Sequence, residues 1–385
     1  MRFEFATAGR VVFGAGTVRE APAIVKSLGK RVLFAVGKSR ERAAATITQL
    51  VSEGVEVREF HVLGEPTVEA VLTGVEQARA EHCDVVLGMG GGSVLDAGKA
   101  IAALMSNSGD VYNYLEVVGR GEALSNPSVP YIAIPTTAGT GAEATRNAVL
   151  AVPERRIKVS LRNPFLMPRL AIVDPELTYS LPPEQTAASG LDALTQLIEP
   201  FLSSGGNPMT DALCRGGIRA IARSLRRAYE NGGDAEAREN MCLGSLLSGM
   251  ALANAKLGAV HGFAGPIGGM FPAPHGAVCA RLLPFVLETN LKALRERADE
   301  APVLGRFAEV ARLLIGDPAA QAEEGIRWLR DVCGARLGIR GLSTYGVREA
   351  DFPEIIAAAG KSSSMKGNPI ALTEQECSGI LERAL

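Results

Sequence analysis

The chain has no CxxC pair and no dense cysteine framework: its six cysteines, Cys83, Cys214, Cys242, Cys279, Cys333 and Cys377, are scattered over 385 residues. Small secreted domains depend on closely spaced disulfides, so this scatter predicts free thiols in a reducing compartment, the cytoplasm. No apolar run approaches the roughly 20 residues that a membrane-spanning helix requires, and no membrane partner is expected. The opening MRFEFATAGRVVFGAG carries Glu4 and two arginines and no continuous apolar stretch, which predicts neither a signal peptide nor an anchor. An excess of one charge is also missing. Forty basic against 42 acidic side chains leave a net charge of −2, too even for an electrostatic footprint on nucleic acid. Internal repeats and low-complexity tracts are absent. What is present is a 47% hydrophobic chain, enough for a large core and long enough for two domains. The expected partner is a small molecule.

Short apolar runs alternate with helical periodicity in the first part of the chain. Arg31 to Val36, Val55 to Val62, Asp84 to Gly88 and Val129 to Pro135 read as strands with helices between them, the rhythm of a parallel sheet with crossover helices. From about Ser180 the β-branched runs stop, and segments such as Ala212 to Asn231 and Ala320 to Leu337 take up 3.6-residue spacing, which predicts an all-helical second domain. The prolines of Asp174-Pro175-Glu176 and Leu181-Pro182-Pro183 mark the boundary. An α/β dinucleotide-binding domain over 1–178 and an all-α domain over 179–385 are therefore expected, with a ligand in the cleft between them.

Two loops carry the chemistry of the first domain. Asp84 to Ala100 runs from a buried strand through Gly90, Gly91 and Gly92 into a helix starting near Ser93. Glycine admits close approach and a helix N-terminus favours anions, so the turn suits a phosphate. It is neither GxGxxG followed by a ribose carboxylate nor a Walker loop, and a bare glycine turn can be purely structural. Pro135 to Thr145 again follows a strand and offers the hydroxyls of Thr136, Thr137 and Thr140, at the end of a parallel sheet where ligands sit. Gly14-Ala15-Gly16 reads as a tight turn.

GGGSVLDAGKA and PTTAGTGAEAT resemble the two signature segments of the iron-containing (group III) alcohol dehydrogenase family. Val173-Asp174-Pro175, Gly190-Leu191-Asp192-Ala193-Leu194, Val260-His261-Gly262 and Pro274-His275-Gly276 follow in the family's order. The resemblance implies a dehydroquinate synthase-like architecture, a homodimer or larger assembly, and reversible hydride transfer between a nicotinamide and an alcohol, aldehyde or ketone. It also implies that Gly91, Gly92 and Ser93 hold the pyrophosphate, that Asp96 lies nearby, and that Thr136, Thr137, Thr140 and Lys158 line the cofactor path.

Asp192 and Gln196 are four residues apart and share a helix face. In the family the positions matching Asp192, Gln196, His261 and His275 hold a divalent iron or zinc that polarises the substrate oxygen. Gln196 stands where the family has histidine, and a neutral amide oxygen is a poor exchange for imidazole at either metal. Gly265 stands where many members place a further histidine, so a proton relay through that imidazole is missing. Asp192, His261 and His275 still equal the ligand number of many catalytic zinc sites, with Gln196 or water in the fourth place, and His261 and His275 are the catalytic candidates. The remaining histidines, His61 and His82, read as structural or solvated.

The strand Arg31 to Val36 ends in Gly37-Lys38-Ser39-Arg40. Family members selective for NAD often carry Asp where Gly37 stands, and that carboxylate would repel a 2′-phosphate. With Gly37, Lys38 and Arg40 there instead, NADP(H) is expected ahead of NAD(H). Three other readings remain: a metal-independent enzyme like the maleylacetate reductases of the same superfamily, a non-catalytic nucleotide-binding sensor, and a non-redox lyase or synthase on the same scaffold.

Overall fold

The fully apolar runs build strands that are covered on both faces. The structure is a computed structural model that describes residues 2–38 and 40–385; Met1 and Ser39 lie outside it. The chain divides into two compact units. One comprises Ala6–Thr137 and Gly141–Tyr179; the other comprises Ser180–Leu385 with Ala138–Thr140 and residues 2–5.

In the α/β unit, β1 (Val11–Phe13), α1 (Ala21–Leu28), β2 (Arg31–Val36), α2 (Glu41–Ser52), β3 (Glu56–His61), α3 (Val68–Ala80), β4 (Val85–Gly90), α4 (Gly92–Ser106), β5 (Tyr131–Pro135), β6 (Asn147–Val152), β7 (Ile157–Arg162) and β8 (Leu170–Val173) follow in order. Six strands form one sheet in the order β1-β8-β5-β4-β2-β3, with every pairing parallel. Alternate residues of β2 face opposite layers. Val32, Phe34 and Val36 pack with Ala21, Val25, Ala43 and Leu50 of α1 and α2, whereas Leu33 and Ala35 pack with Val71, Val75, Leu95 and Ile101 of α3 and α4. Burial on both sides is why these strands read as continuous apolar runs.

The chain leaves β2 toward β3 and leaves β4 toward β5, so the carboxyl ends of the adjacent strands β2 and β4 flank the topological switch point, where open α/β sheets bind ligands. At Gly90 the turn from β4 into α4 is so tight that a Cβ would lie 2.6 Å from the Val94 side chain. Gly88 and Gly98 make room for Tyr131, whose hydroxyl donates to the Leu95 carbonyl at 2.9 Å.

Outside the main sheet, β6 and β7 form an antiparallel hairpin that the strand-helix rhythm does not predict. It is fastened to α4 by a buried ionic network. Lys99, 1% exposed, donates to Thr145 Oγ1 at 2.8 Å and to the Asn147 carbonyl at 2.5 Å, and lies 3.0 Å from Asp96 Oδ1. Asp96 Oδ2 accepts from the Val149 amide at 3.0 Å. A buried ammonium is tolerated only with such partners.

The second unit is all helical: α5 (Pro183–Leu202), α6 (Pro208–Glu230), α7 (Ala235–Asn254), α8 (Ala259–Met270), α9 (His275–Arg297), α10 (Val303–Ile315), α11 (Ala322–Asp331), α12 (Phe352–Lys361) and α13 (Glu374–Ala384). Every residue of α5 from Gly190 to Leu202 is buried, which makes it the unit's central helix. Gly190 permits this packing, since a Cβ there would meet Leu225 at 2.5 Å and Met241 at 2.6 Å. Among the described residues, all six cysteines are buried and none is in a disulfide, and no single helix is long and apolar enough to cross a membrane.

Candidate active site and metal centre

A central helix buried on all sides should carry few polar groups, yet α5 carries Asp192, Gln196 and Glu199 at 2%, 3% and 5% exposure. Their spacing puts all three on one face. The structure brings His261 of α8, and His275 and Cys279 of α9, to that face. His261 Nε2 lies 3.5 Å and His275 Nε2 3.7 Å from Asp192 Oδ1. One ligand atom from each of Asp192, His261, His275 and Cys279 lies within 4.8 Å of the others.

Glycine controls the approach of the helices that deliver the two histidines. A Cβ on Gly276 would sit 2.4 Å from the Ala188 carbonyl, so only glycine lets α9 meet α5 directly beside His275. A Cβ on Gly258, which caps α8, would meet Glu199 Oε1 at 2.8 Å. In that space Glu199 Oε1 accepts from the Val260 amide at 2.7 Å, and Glu199 Oε2 from His261 Nδ1 at 2.5 Å. Asn368 Oδ1 accepts from the Ala259 amide at 3.1 Å and holds the same helix start.

The Glu199 carboxylate fixes a proton on His261 Nδ1 and leaves Nε2 facing Asp192. Gln196 Nε2 donates to Asp192 Oδ2 at 3.2 Å, while Asp192 Oδ1 and Gln196 Oε1 are buried without a hydrogen-bond partner. Asp192 Oδ1 thus stands buried and unpaired beside two imidazoles and a thiol, a set of atoms suited to a cation. The residues fit a divalent metal on that ground. The negative charge of the cluster also favours positive charge on the rings. Burial opposes an imidazolium at His261, but Cys279, Glu199 and Asp192 outweigh it and hold the ring well above its ordinary value. The Cys279 sulfur, against burial, raises His275. Burial pushes Asp192 up, but hydrogen bonding from His261 and the charge on His275 bring it below the usual carboxylate range.

The α/β unit brings another group of expected residues together. Gly37 and Lys38 follow β2, Gly91, Gly92 and Ser93 follow β4, and Thr136 and Thr137 follow β5, at the carboxyl ends of three neighbouring strands. Gly91 is extended at φ −76°, ψ −176° and precedes the first turn of α4, whose leading amides have no intrahelical acceptor. Lys38 is exposed. Arg40 is engaged, its Nε and Nη2 donating to Glu59 at 2.8 and 2.7 Å. Asp96 belongs to the Lys99 network described above. Lys158 lies on β7 and pairs with Glu65 at 3.1 Å. Thr140 groups with the helical unit. Of the other histidines, His82 is exposed and His61 ends β3 with its side chain 46% exposed.

Sequence reasoning missed Glu199, Cys279 and Lys99. Each was present as a helical spacing: Glu199 seven residues after Asp192, Cys279 four after His275, and Lys99 three after Asp96.

Comparison with known proteins agrees with this geometry. Residues 8–175 match the family described as Iron-containing alcohol dehydrogenase. Residues 186–385 match the Fe-containing alcohol dehydrogenase family, C-terminal. The 1,3-propanediol dehydrogenase of Klebsiella pneumoniae is 38% identical over 381 residues, covering 94% of this chain and 95% of its own. A solved 1,3-propanediol oxidoreductase superposes with a TM-score of 0.92 at 34% identity, covering 100% of both chains. The sulfoacetaldehyde reductase from Bifidobacterium kashiwanohense, solved in complex with NAD+, gives 0.87 at 28% identity, covering 100% of this chain and 99% of that one.

The chain belongs to the iron-containing alcohol dehydrogenase family. It is an NAD(P)-dependent alcohol dehydrogenase or aldehyde reductase with the dehydroquinate synthase-like architecture, and membership implies NAD(H) and a divalent metal. The relatives do not favour the maleylacetate reductase reading.

Proposed function

We propose that the chain catalyses reversible hydride transfer between a nicotinamide dinucleotide and a small carbonyl or alcohol substrate, assisted by a divalent metal, iron or zinc, held by Asp192, His261 and His275. The observation that carries this reading is the convergence of the buried, unpaired Asp192 Oδ1 with the buried His261 and half-buried His275 imidazoles, 3.5 and 3.7 Å away. When bound, the metal supplies a Lewis acid for the carbonyl oxygen, and the nicotinamide supplies the hydride. Glu199 holds His261 by Nδ1, so the ring is oriented before substrate arrives. Gln196 restrains the second oxygen of Asp192 through its Nε2. With glycine at 265, α8 offers no imidazole one turn after His261, and the alkoxide proton is drawn from water or a ribose hydroxyl.

Gly91, Gly92 and Ser93 would receive the pyrophosphate at the start of α4, and Gly37 and Lys38 would flank the adenosine ribose, with Asp96, Thr136, Thr137, Thr140 and Lys158 along the cofactor path. The lack of a carboxylate at Gly37 favours NADP(H) over NAD(H). The Arg40–Glu59 pair does not remove Arg40 from this role, because exposed ion pairs contribute only about 0–1 kcal/mol and exchange readily for a phosphate. A cytoplasmic homodimer or larger assembly accords with the family resemblance.

The test is a panel of short aldehydes, ketones and alcohols with NADPH, NADH and their oxidised forms, read at the nicotinamide absorbance. Carbonyl-dependent oxidation of the reduced cofactor is expected; dinucleotide binding without turnover of any substrate would assign the sensor role instead.

A further inference from the structure

The cluster holds one donor that the expected ligand set does not include. Cys279 Sγ is fully buried, 3.6 Å from His275 Nε2 and 3.8 Å from His261 Nε2. It stands four residues after His275 on α9, one turn along, so a single helix presents both atoms to the same point.

We propose that Cys279 is a metal ligand, the fourth donor beside Asp192, His261 and His275 in place of the imidazole that Gln196 does not provide. The inference rests on the metal-bearing reading above. Three observations carry it. First, four of the six separations are those of a tetrahedron's edges, and the other two are within 4.8 Å. With metal–nitrogen, metal–oxygen and metal–sulfur bonds of about 2.0–2.1, 2.0–2.2 and 2.3 Å, tetrahedral angles put N···O at roughly 3.4 Å and N···S at roughly 3.6 Å. These four edges, N···O of 3.5 and 3.7 Å and N···S of 3.6 and 3.8 Å, are all within a few tenths of those values.

Second, Asp192 Oδ1 is buried in the same cluster without a hydrogen-bond partner. Third, Gln196 spends its amide nitrogen on Asp192 Oδ2, which makes it a positioning residue for the carboxylate.

On ligation the Cys279 thiol releases its proton to solvent and the sulfur lone pair forms the bond to the metal, with no change of oxidation state. Two anionic donors then neutralise the divalent charge. A thiolate also makes the site softer than one of carboxylate and imidazoles, which favours zinc over ferrous iron.

Zinc-edge X-ray absorption on the full-length protein loaded with one equivalent of zinc tests this. A sulfur shell at about 2.3 Å is expected beside nitrogen and oxygen at about 2.0–2.2 Å, and the sulfur shell should vanish in Cys279→Ser. One tightly bound zinc with only nitrogen and oxygen neighbours, or a sulfur shell that survives Cys279→Ser, overturns the Cys279 assignment and leaves the metal-bearing reading standing. No bound zinc overturns both. Should Cys279→Ser fail to fold, cobalt-loaded wild-type protein decides: an intense near-ultraviolet thiolate-to-cobalt band supports ligation, and its absence refutes it.

Discussion

Glu199 Oε2 accepts from His261 Nδ1 at 2.5 Å while Glu199 Oε1 accepts from the Val260 amide at 2.7 Å. One buried carboxylate therefore fixes the tautomer of a candidate ligand and anchors the helix start that carries it. Glu199→Gln puts an amide that can donate opposite Nδ1, which favours the tautomer with its proton on Nε2, aimed into the cluster. Metal affinity should fall by about 10–100-fold, measured by competition with a chromogenic chelator. Unchanged affinity would contradict the positioning role.

Gly276 is held to glycine by the Ala188 carbonyl, 2.4 Å from where a Cβ would sit. Gly276→Ala must push α9 away from α5, and His275 and Cys279 move with it. The overpacking should cost about 1–3 kcal/mol in urea unfolding, and metal affinity should fall as well. A variant as stable as the parent with full metal affinity would show that the two helices have slack here.

Burial raises the Glu143 carboxyl from its ordinary 4.5 to about 7. The folded protein keeps a proton that the unfolded chain releases, so the stability linked to it is complete below about pH 4.5, declines as pH rises through about 7, and is level beyond that. Glu143→Gln removes the titration. The variant should gain on the wild type by up to about 3 kcal/mol between pH 5 and pH 8, measured by urea unfolding at both. A stability difference independent of pH would contradict the raised value.

A Cβ at Gly37 would find only Val94 Cγ2 at 3.6 Å, an ordinary contact, so Gly37→Asp should fold normally. If the adenosine ribose lies there, the new carboxylate repels a 2′-phosphate by about 1–4 kcal/mol at roughly 4 Å. Then kcat/KM with NADPH should drop by about tenfold or more while that with NADH is spared. Equal loss for both cofactors would remove Gly37 from the ribose site.

The strand-helix rhythm was legible because burial on both faces leaves an unmistakable apolar run, as in Val85 to Leu87 of β4. The β6–β7 hairpin was not. Its strands alternate buried and half-buried residues, and it owes its position to Lys99, whose burial no pattern announces. Asp192, His261 and His275 could be read from motif order, as could the weakness introduced by Gln196. Glu199 and Cys279 could not: a glutamate in a helix reads as solvated, and a lone cysteine as a small apolar residue. Only the packing of α5 against α9, and of Glu199 against the start of α8, turns those two spacings into chemistry.

The central claim is that carbonyl reduction depends on a divalent metal at Asp192, His261 and His275. Elemental analysis and NAD(P)H-dependent aldehyde reduction, measured on the same preparation before chelation, after chelation and after zinc or ferrous iron is returned, test it most directly. The account predicts about one metal per chain, activity that disappears with the metal and returns with it, and no restoration in Asp192→Asn. Full aldehyde reduction by protein with well under one metal per chain would contradict it.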